Sequence, residues 1–198
     1  MALSRRKLLA LALVGGAVAL GGAIIACGSG PVKRPDGGEG LLPVGASAPD
    51  FTATTKAGEP VRLSSFRGHA VVVYFYPKDF TPGCTSEACA FRDAWAKYQA
   101  QNVTIVGVSR DTEESHRKFV KEHDLPFPLA SDEDGAIARS YGVKSALGVD
   151  ARVTFLLGAD GKIVKSWPDV DPGVHATEVL TEAAKLAPPQ NVPASPSP

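Results

Sequence analysis

Two of the three cysteines in this 198-residue chain, Cys84 and Cys89, stand five positions apart in the stretch FYPKDFTPGCTSEACAFRD, residues 75–93. The spacing is neither the Cys-x-x-Cys of a dithiol redox pair nor that of a common zinc knuckle. What precedes Cys84 sets its chemistry. Pro77 closes an apolar run, and Pro82 stands where a helix begins, at a position where a missing N–H costs nothing. Cys84 then falls in the first helical turn, facing unsatisfied amides and the positive end of the helix dipole. Both favour the thiolate, which is the nucleophilic form. Thr81, three residues earlier, can bring its hydroxyl to the sulfur or to an oxygen bound to it. Taken alone, Cys84 reads equally well as a buried thiol packing like a small hydrophobe.

These residues need elements to hold them. AVVVYFY, residues 70–76, is a continuous β-branched and aromatic run, as expected of a strand covered on both faces. Residues 84–100 place Ala88, Phe91, Trp95 and Tyr98 at helical spacing, and VTIVGVS, 103–109, is the next strand. Asp111 or Thr112 caps a helix ending near His123. FPLA is a short strand, and SDEDGAIARSYG a helix closed by Gly142, its Asp132-Glu133-Asp134 cluster reading as a helix start and not a calcium loop. RVTFLLGADGKIVKSW is a hairpin about Asp160-Gly161, and a last helix runs from about Val174 to Leu186. Upstream, DFTATTKAGEPVRLSSF forms two short strands around Ala57-Gly58. The pattern implies an α/β protein of thioredoxin-like fold, a central mixed sheet flanked by helices, with extra N-terminal strands. His69, His116, His123 and His175 show no ligand spacing and read as surface or capping residues, so neither a metal nor a cofactor is expected. Glu87 reads as a residue that orders the first turn.

Pro77-x-x-x-Thr81-x-x-Cys84 matches the active-site motif of the peroxiredoxins, and the stretch around it is similar to the bacterioferritin-comigratory-protein/PrxQ subfamily almost throughout. The similarity runs for about 140 residues, from GASAPDFTATTKAGEPVRLSSFRG through RVTFLLGADGKIV to HATEVL. The resemblance implies a thiol peroxidase acting on hydrogen peroxide and organic hydroperoxides. It makes Cys84 the peroxidatic thiol, with Thr81 positioning the peroxide oxygens, Pro77 shielding the site from water, and Arg152 stabilising thiolate and transition state. By itself an arginine opening a core strand is as readily a surface ion-pair partner. The resemblance makes Cys89 the resolving thiol, forming an intramolecular disulfide that a thioredoxin-like donor reduces. A permanent structural disulfide and two unrelated core cysteines are the other readings of the pair. Only KSALGVDA, 144–151, lacks a clear match to the subfamily pattern. The functional alternative is an exported thioredoxin-like thiol–disulfide oxidoreductase, which would ordinarily carry Cys-x-x-Cys.

The start of the chain reads as an export segment. MALSRRKLLALALVGGAVALGGAIIAC begins with Arg5, Arg6 and Lys7, contains no acid, and continues uncharged from Leu8 to Cys27, a secretory signal pattern. SRRKLL resembles a twin-arginine signal, and Ile24-Ile25-Ala26-Cys27 a bacterial lipobox, which would make Cys27 a lipidation site. An uncleaved membrane anchor is the competing reading, since roughly 18 apolar residues suffice to span. A soluble exported protein is the third reading, and all three place residues 41–187, the peroxiredoxin-like domain, on the extracytoplasmic side of a bacterial envelope. If Cys27 carries lipid, Cys84 and Cys89 remain as an even pair in an oxidising compartment. Residues 28–40, with five glycines and two prolines, read as a flexible linker, and 188–198, with five prolines, as a disordered tail. Charges cancel over the whole chain, at 21 basic and 21 acidic residues, and no basic stripe suggests a nucleic-acid partner. The expected partners are a peroxide, a thioredoxin-like reductant and the membrane; a monomer is the expected state.

Overall fold

A computed structural model describes residues 30–186. The leader 1–27, with Cys27, and the proline tail 188–198 lie outside the described residues. At the centre is β3 (Ala70–Phe75), every residue of which is buried. It pairs in parallel with β4 (Val103–Ser109) and antiparallel with β8 (Val153–Leu157). Around these lie β1 (Thr52–Thr54), β2 (Pro60–Arg62), β5 (Leu129–Ser131) and β9 (Ile163–Trp167), giving one seven-stranded mixed sheet of order β2-β1-β5-β4-β3-β8-β9. A separate hairpin joins β6 (Ser145–Ala146) to β7 (Val149–Asp150). This is the thioredoxin-like architecture expected from the sequence.

Side chains alternate across a strand, so β3 feeds two cores. Val72, Tyr74 and Tyr76 pack with Cys84, Ala88 and Phe91 of α1 (Pro82–Asp93), Tyr98 of α2 (Trp95–Ala100), Phe119 of α3 (Glu113–His123) and Val179 of α5 (His175–Ala183). Val71, Val73 and Phe75 pack on the other face with Phe51, Phe155 and Tyr141 of α4 (Ala136–Tyr141). Each such fully buried aliphatic or aromatic side chain contributes about 1.5–3 kcal/mol relative to exposure. The thiols thus sit on one face of the sheet and α4 on the other.

Several expectations are revised in detail. The helix starts at Pro82 as expected but, instead of running on to residue 100, divides at Ala94 (φ −87°, ψ −3°). The second piece carries Tyr98 to the Ala176 carbonyl, 2.6 Å away, a contact with α5 that periodicity cannot foretell. Thr112 supplies the α3 cap, accepting from the Ser115 amide at 3.2 Å. Asp132 acts at a distance, its two oxygens accepting from the Ile137 and Ala138 amides at 2.9 and 2.8 Å, so α4 starts later than its acidic cluster. The last helix ends at Ala183 instead of Leu186. KSALGVDA forms the β6–β7 hairpin, turning at Leu147 and Gly148 with φ 52° and 80°. His116 and His175 are buried, not surface or capping residues.

Within the segment read as a flexible linker, Lys33 bridges to Glu39 and the Arg34 guanidinium donates to the Glu39, Gly40 and Leu41 carbonyls at 3.0, 2.7 and 3.3 Å. Composition hides this, because one arginine satisfies carbonyls that a glycine-rich loop would leave to water. The turn continues into Leu42, whose amide bonds the Tyr141 carbonyl at 3.1 Å. Gly142 permits the approach: it is left-handed (φ 72°), and a Cβ there would stand 1.8 Å from the Gly40 oxygen. Among the described residues no helix is long and apolar enough to cross a membrane.

Candidate active site

The site forms where β3 ends. Beyond half-buried Pro77 the chain passes through Phe80, a non-glycine residue at φ 60°, and enters α1 with Thr81 at the N-cap and Pro82 in the first turn. Proline's missing N–H is one of the amides left unpaired at any helix start, so the local sequence and the helix agree. Cys84 follows in the first turn and is 1% exposed. The Thr81 hydroxyl does not cap the helix; it donates to the Lys78 carbonyl at 3.0 Å, within the loop that carries it.

Arg152 arrives from the other side of the sequence. The antiparallel register sets Phe75 opposite Val153, which leaves the preceding residue, Arg152, at the C-terminal end of β3. Its Nη2 donates to Cys84 Sγ at 3.2 Å, and its Nη1 donates to Glu87 Oε2 in a close ion pair. The guanidinium charge thus reaches the sulfur from one side and the positive end of the helix dipole from the other. The sulfur, itself buried, therefore lies at two independent sources of positive potential.

Glu87 lies one turn beyond Cys84 on the same helical face and is fully buried. Burial pushes its carboxyl up to about 7, against the opposing pull of the Arg152 charge. Its second oxygen, Oε1, has no hydrogen-bond partner among the described residues. Burial lowers the Arg152 guanidinium's affinity for its proton, but Glu87 and Cys84 outweigh this and hold its pKa above the usual value. His175 Nε2 meets Thr154 Oγ1 at 2.8 Å, and burial with the Arg152 charge brings this imidazole down to about 4. It is neutral at physiological pH.

Cys89 is half-buried further along α1, and both thiols are free. Five helical residues advance about 7.5 Å and leave side chains about 140° apart. The structure thus brings Cys84 and Arg152 into contact, places Thr81 and Pro77 in the loop just before, and keeps Cys89 on the same helix facing elsewhere. The sequence understates Glu87, read there only as ordering the first turn, and His175, read as a surface or capping residue, and it gives no sign of Thr154. The Cys-x-x-Glu spacing was a usable signal for the first; nothing local marks the others. Among the described residues no group of three His, Cys, Asp or Glu side chains could hold a metal ion.

A cysteine at a helix start, bonded to an arginine on a thioredoxin-like sheet, defines a thiol-based redox protein. The chain belongs to the AhpC/TSA family, which it matches over residues 44–166. It is 41% identical over 147 residues to a putative peroxiredoxin bcp of Coxiella burnetii, covering 70% of this chain and 97% of that one. With peroxiredoxin Bcp of Bacillus subtilis the identity is 40% over 147 residues, covering 70% and 93%. Among solved structures, Xanthomonas campestris peroxiredoxin Q superposes with a TM-score of 0.65 at 34% identity, covering 70% of this chain and 92% of that one.

Proposed function

We propose that this protein is a thiol-dependent peroxidase in which Cys84 reduces hydrogen peroxide or an organic hydroperoxide. One observation carries the reading: a buried thiol in the first turn of a helix, 3.2 Å from an arginine nitrogen. The Cys84 thiolate attacks one peroxide oxygen, the O–O bond breaks, and the sulfur becomes a sulfenic acid. The departing alkoxide or hydroxide takes a proton and leaves as alcohol or water. Arg152 stabilises the thiolate and the negative charge developing on the peroxide. Thr81 positions the peroxide oxygens once its hydroxyl turns from Lys78, and Pro77 covers the sulfur against water.

The Cys89 thiol then condenses with the sulfenic acid, forming the disulfide and releasing water. A thioredoxin-like dithiol restores both thiols and leaves as a disulfide. A general thiol–disulfide oxidoreductase would call for Cys-x-x-Cys, which this helix lacks, and the relatives bear peroxiredoxin names. Stopped-flow mixing of the reduced protein with peroxide tests the assignment. Rapid reaction that vanishes in Cys84→Ser supports it, and an unchanged rate in that variant refutes it.

The leader extends the reading to place. Its basic start, apolar stretch and lipobox-like Cys27 support an exported domain held at the outer face of a bacterial membrane. Loss of detergent partitioning in Cys27→Ala is the expected result. A Cys27→Ala protein still anchored at full length would show an uncleaved helix instead.

A further inference from the structure

Beside the thiol site lies a second buried polar cluster that the reaction steps above do not use. Asp79, in the loop between β3 and α1, is 3% exposed. Its Oδ1 accepts from the Tyr76 hydroxyl at 2.7 Å, and its Oδ2 from the Ser115 hydroxyl at 2.7 Å and His116 Nδ1 at 2.9 Å. The far nitrogen of His116 meets the Ala130 carbonyl at 3.2 Å. Asp79's own amide donates to Asp111 Oδ2 at 2.8 Å, and that oxygen also accepts from Ser109 Oγ at 2.7 Å. Ser115 donates to the carboxylate and not to the imidazole, so the three side chains are not a nucleophilic triad.

The cluster ties one short loop to three elements at once: the end of β3 through Tyr76 just beyond it, the β4 end through Ser109 and Asp111, and α3 through Ser115 and His116. That loop holds Pro77 and ends at Thr81, both just before Cys84. Immediately after the pin, Phe80 adopts its left-handed conformation, with its ring edge-on to Phe119 at 5.1 Å. A bulky residue holds such a backbone only where its surroundings over-determine it. The Asp79 bonds and the Phe119 contact supply that determination.

We propose that Asp79 is a positioning residue for peroxide reduction: its buried carboxylate fixes the Pro77–Thr81 loop against α3 and thereby sets where the Thr81 hydroxyl meets a peroxide at Cys84. The inference rests on the thiol peroxidase reading. It concerns geometry and not thiol reactivity, and this separates it from a general effect on folding. Iodoacetamide needs only the thiolate, whereas a peroxide must be held in line with the sulfur.

The test compares two rates in Asp79→Asn, Ser115→Ala and Tyr76→Phe: Cys84 oxidation by hydrogen peroxide, and Cys84 alkylation by iodoacetamide. In all folded variants the peroxide rate is expected to fall about tenfold or more, as for a misplaced reacting group. Alkylation should stay within about twofold, because Arg152 and the helix dipole are untouched. Ser115→Ala and Tyr76→Phe each remove one donor and leave the carboxylate, so they carry the test if Asp79→Asn does not fold. Peroxide rates within about twofold of the parent in the folded variants would overturn the proposal, as would equal losses in both reactions. A parent protein that alkylates but ignores peroxide would instead sink the peroxidase reading itself.

Discussion

At the scale of single residues, the site is a balance of charges around a buried thiol and a buried carboxyl. Removing the cation exposes the balance. Arg152→Ala should slow peroxide attack by roughly 10²-fold, as when one fixed donor to a developing oxyanion is lost, while the fold survives. Glu87 tolerates the loss, since a carboxyl already pushed up to about 7 takes a proton when its partner goes. The same shift makes stability pH-dependent. In the folded state Glu87 keeps its proton up to about 7, and in the unfolded chain only up to about 4.5. The folded state therefore binds more protons in that window, and its stability falls as pH rises through it. His175 has the opposite sign: its folded value near 4 lies below the ordinary 6.5, so its contribution falls as pH drops through that range. Urea unfolding of Glu87→Gln against the parent isolates the first effect. The parent should lose stability relative to the variant between pH 5 and pH 8, and a constant difference would show that Glu87 does not titrate there. That Cys84, Thr81 and Pro77 lie together was legible because they fall within eight consecutive positions. Arg152 needed the resemblance, and His175 stayed hidden because its burial depends on α5 closing over Thr154 of β8.

At the scale of elements, the proposed mechanism gives α1 two tasks that conflict. Folded, it holds Cys84 in the first turn beneath the dipole; to form the proposed disulfide it must bring Cys89 round. A disulfide needs Cα atoms within about 7 Å and converging Cβ vectors, which an intact helix denies to positions five apart. Oxidation must then unwind α1 between the two thiols. The far end is secured, since Arg92 Nη1 bonds the His123 carbonyl at 2.8 Å and Tyr98 of α2 bonds the Ala176 carbonyl. Amide exchange should therefore rise across residues 83–92 on oxidation while β3 and α2 stay protected. Equal protection in both redox states, with the disulfide confirmed by mass, would contradict the switch. The sequence displayed two thiols five apart on one helix, but not the break at Ala94 that bounds the opening, because the piece after it is set by the Tyr98 contact with α5.

At the scale of the whole molecule, the sheet separates two functions. The thiols and α1 lie on one face; the turn from Lys33 to Leu42 docks beside α4 on the other. Gly142→Ala tests that docking. A Cβ on a left-handed residue against the Gly40 oxygen should cost about 1–3 kcal/mol and loosen the turn to proteolysis. Peroxide kinetics should be unchanged, since the change acts on the opposite face. The sheet core was readable from β3, whose unbroken apolar run announces burial on both sides. The N-terminal turn was not, because its order comes from one arginine and one glycine, and composition shows neither.

The central claim is that Cys84 reacts with peroxide and Cys89 resolves it. Peptide mass analysis of the reduced protein after one equivalent of hydrogen peroxide tests both halves together. The parent should yield a single Cys84–Cys89 disulfide, Cys89→Ser one added oxygen on Cys84, and Cys84→Ser no change. Oxygen added first at Cys89, or unmodified thiols in the parent, would contradict the account.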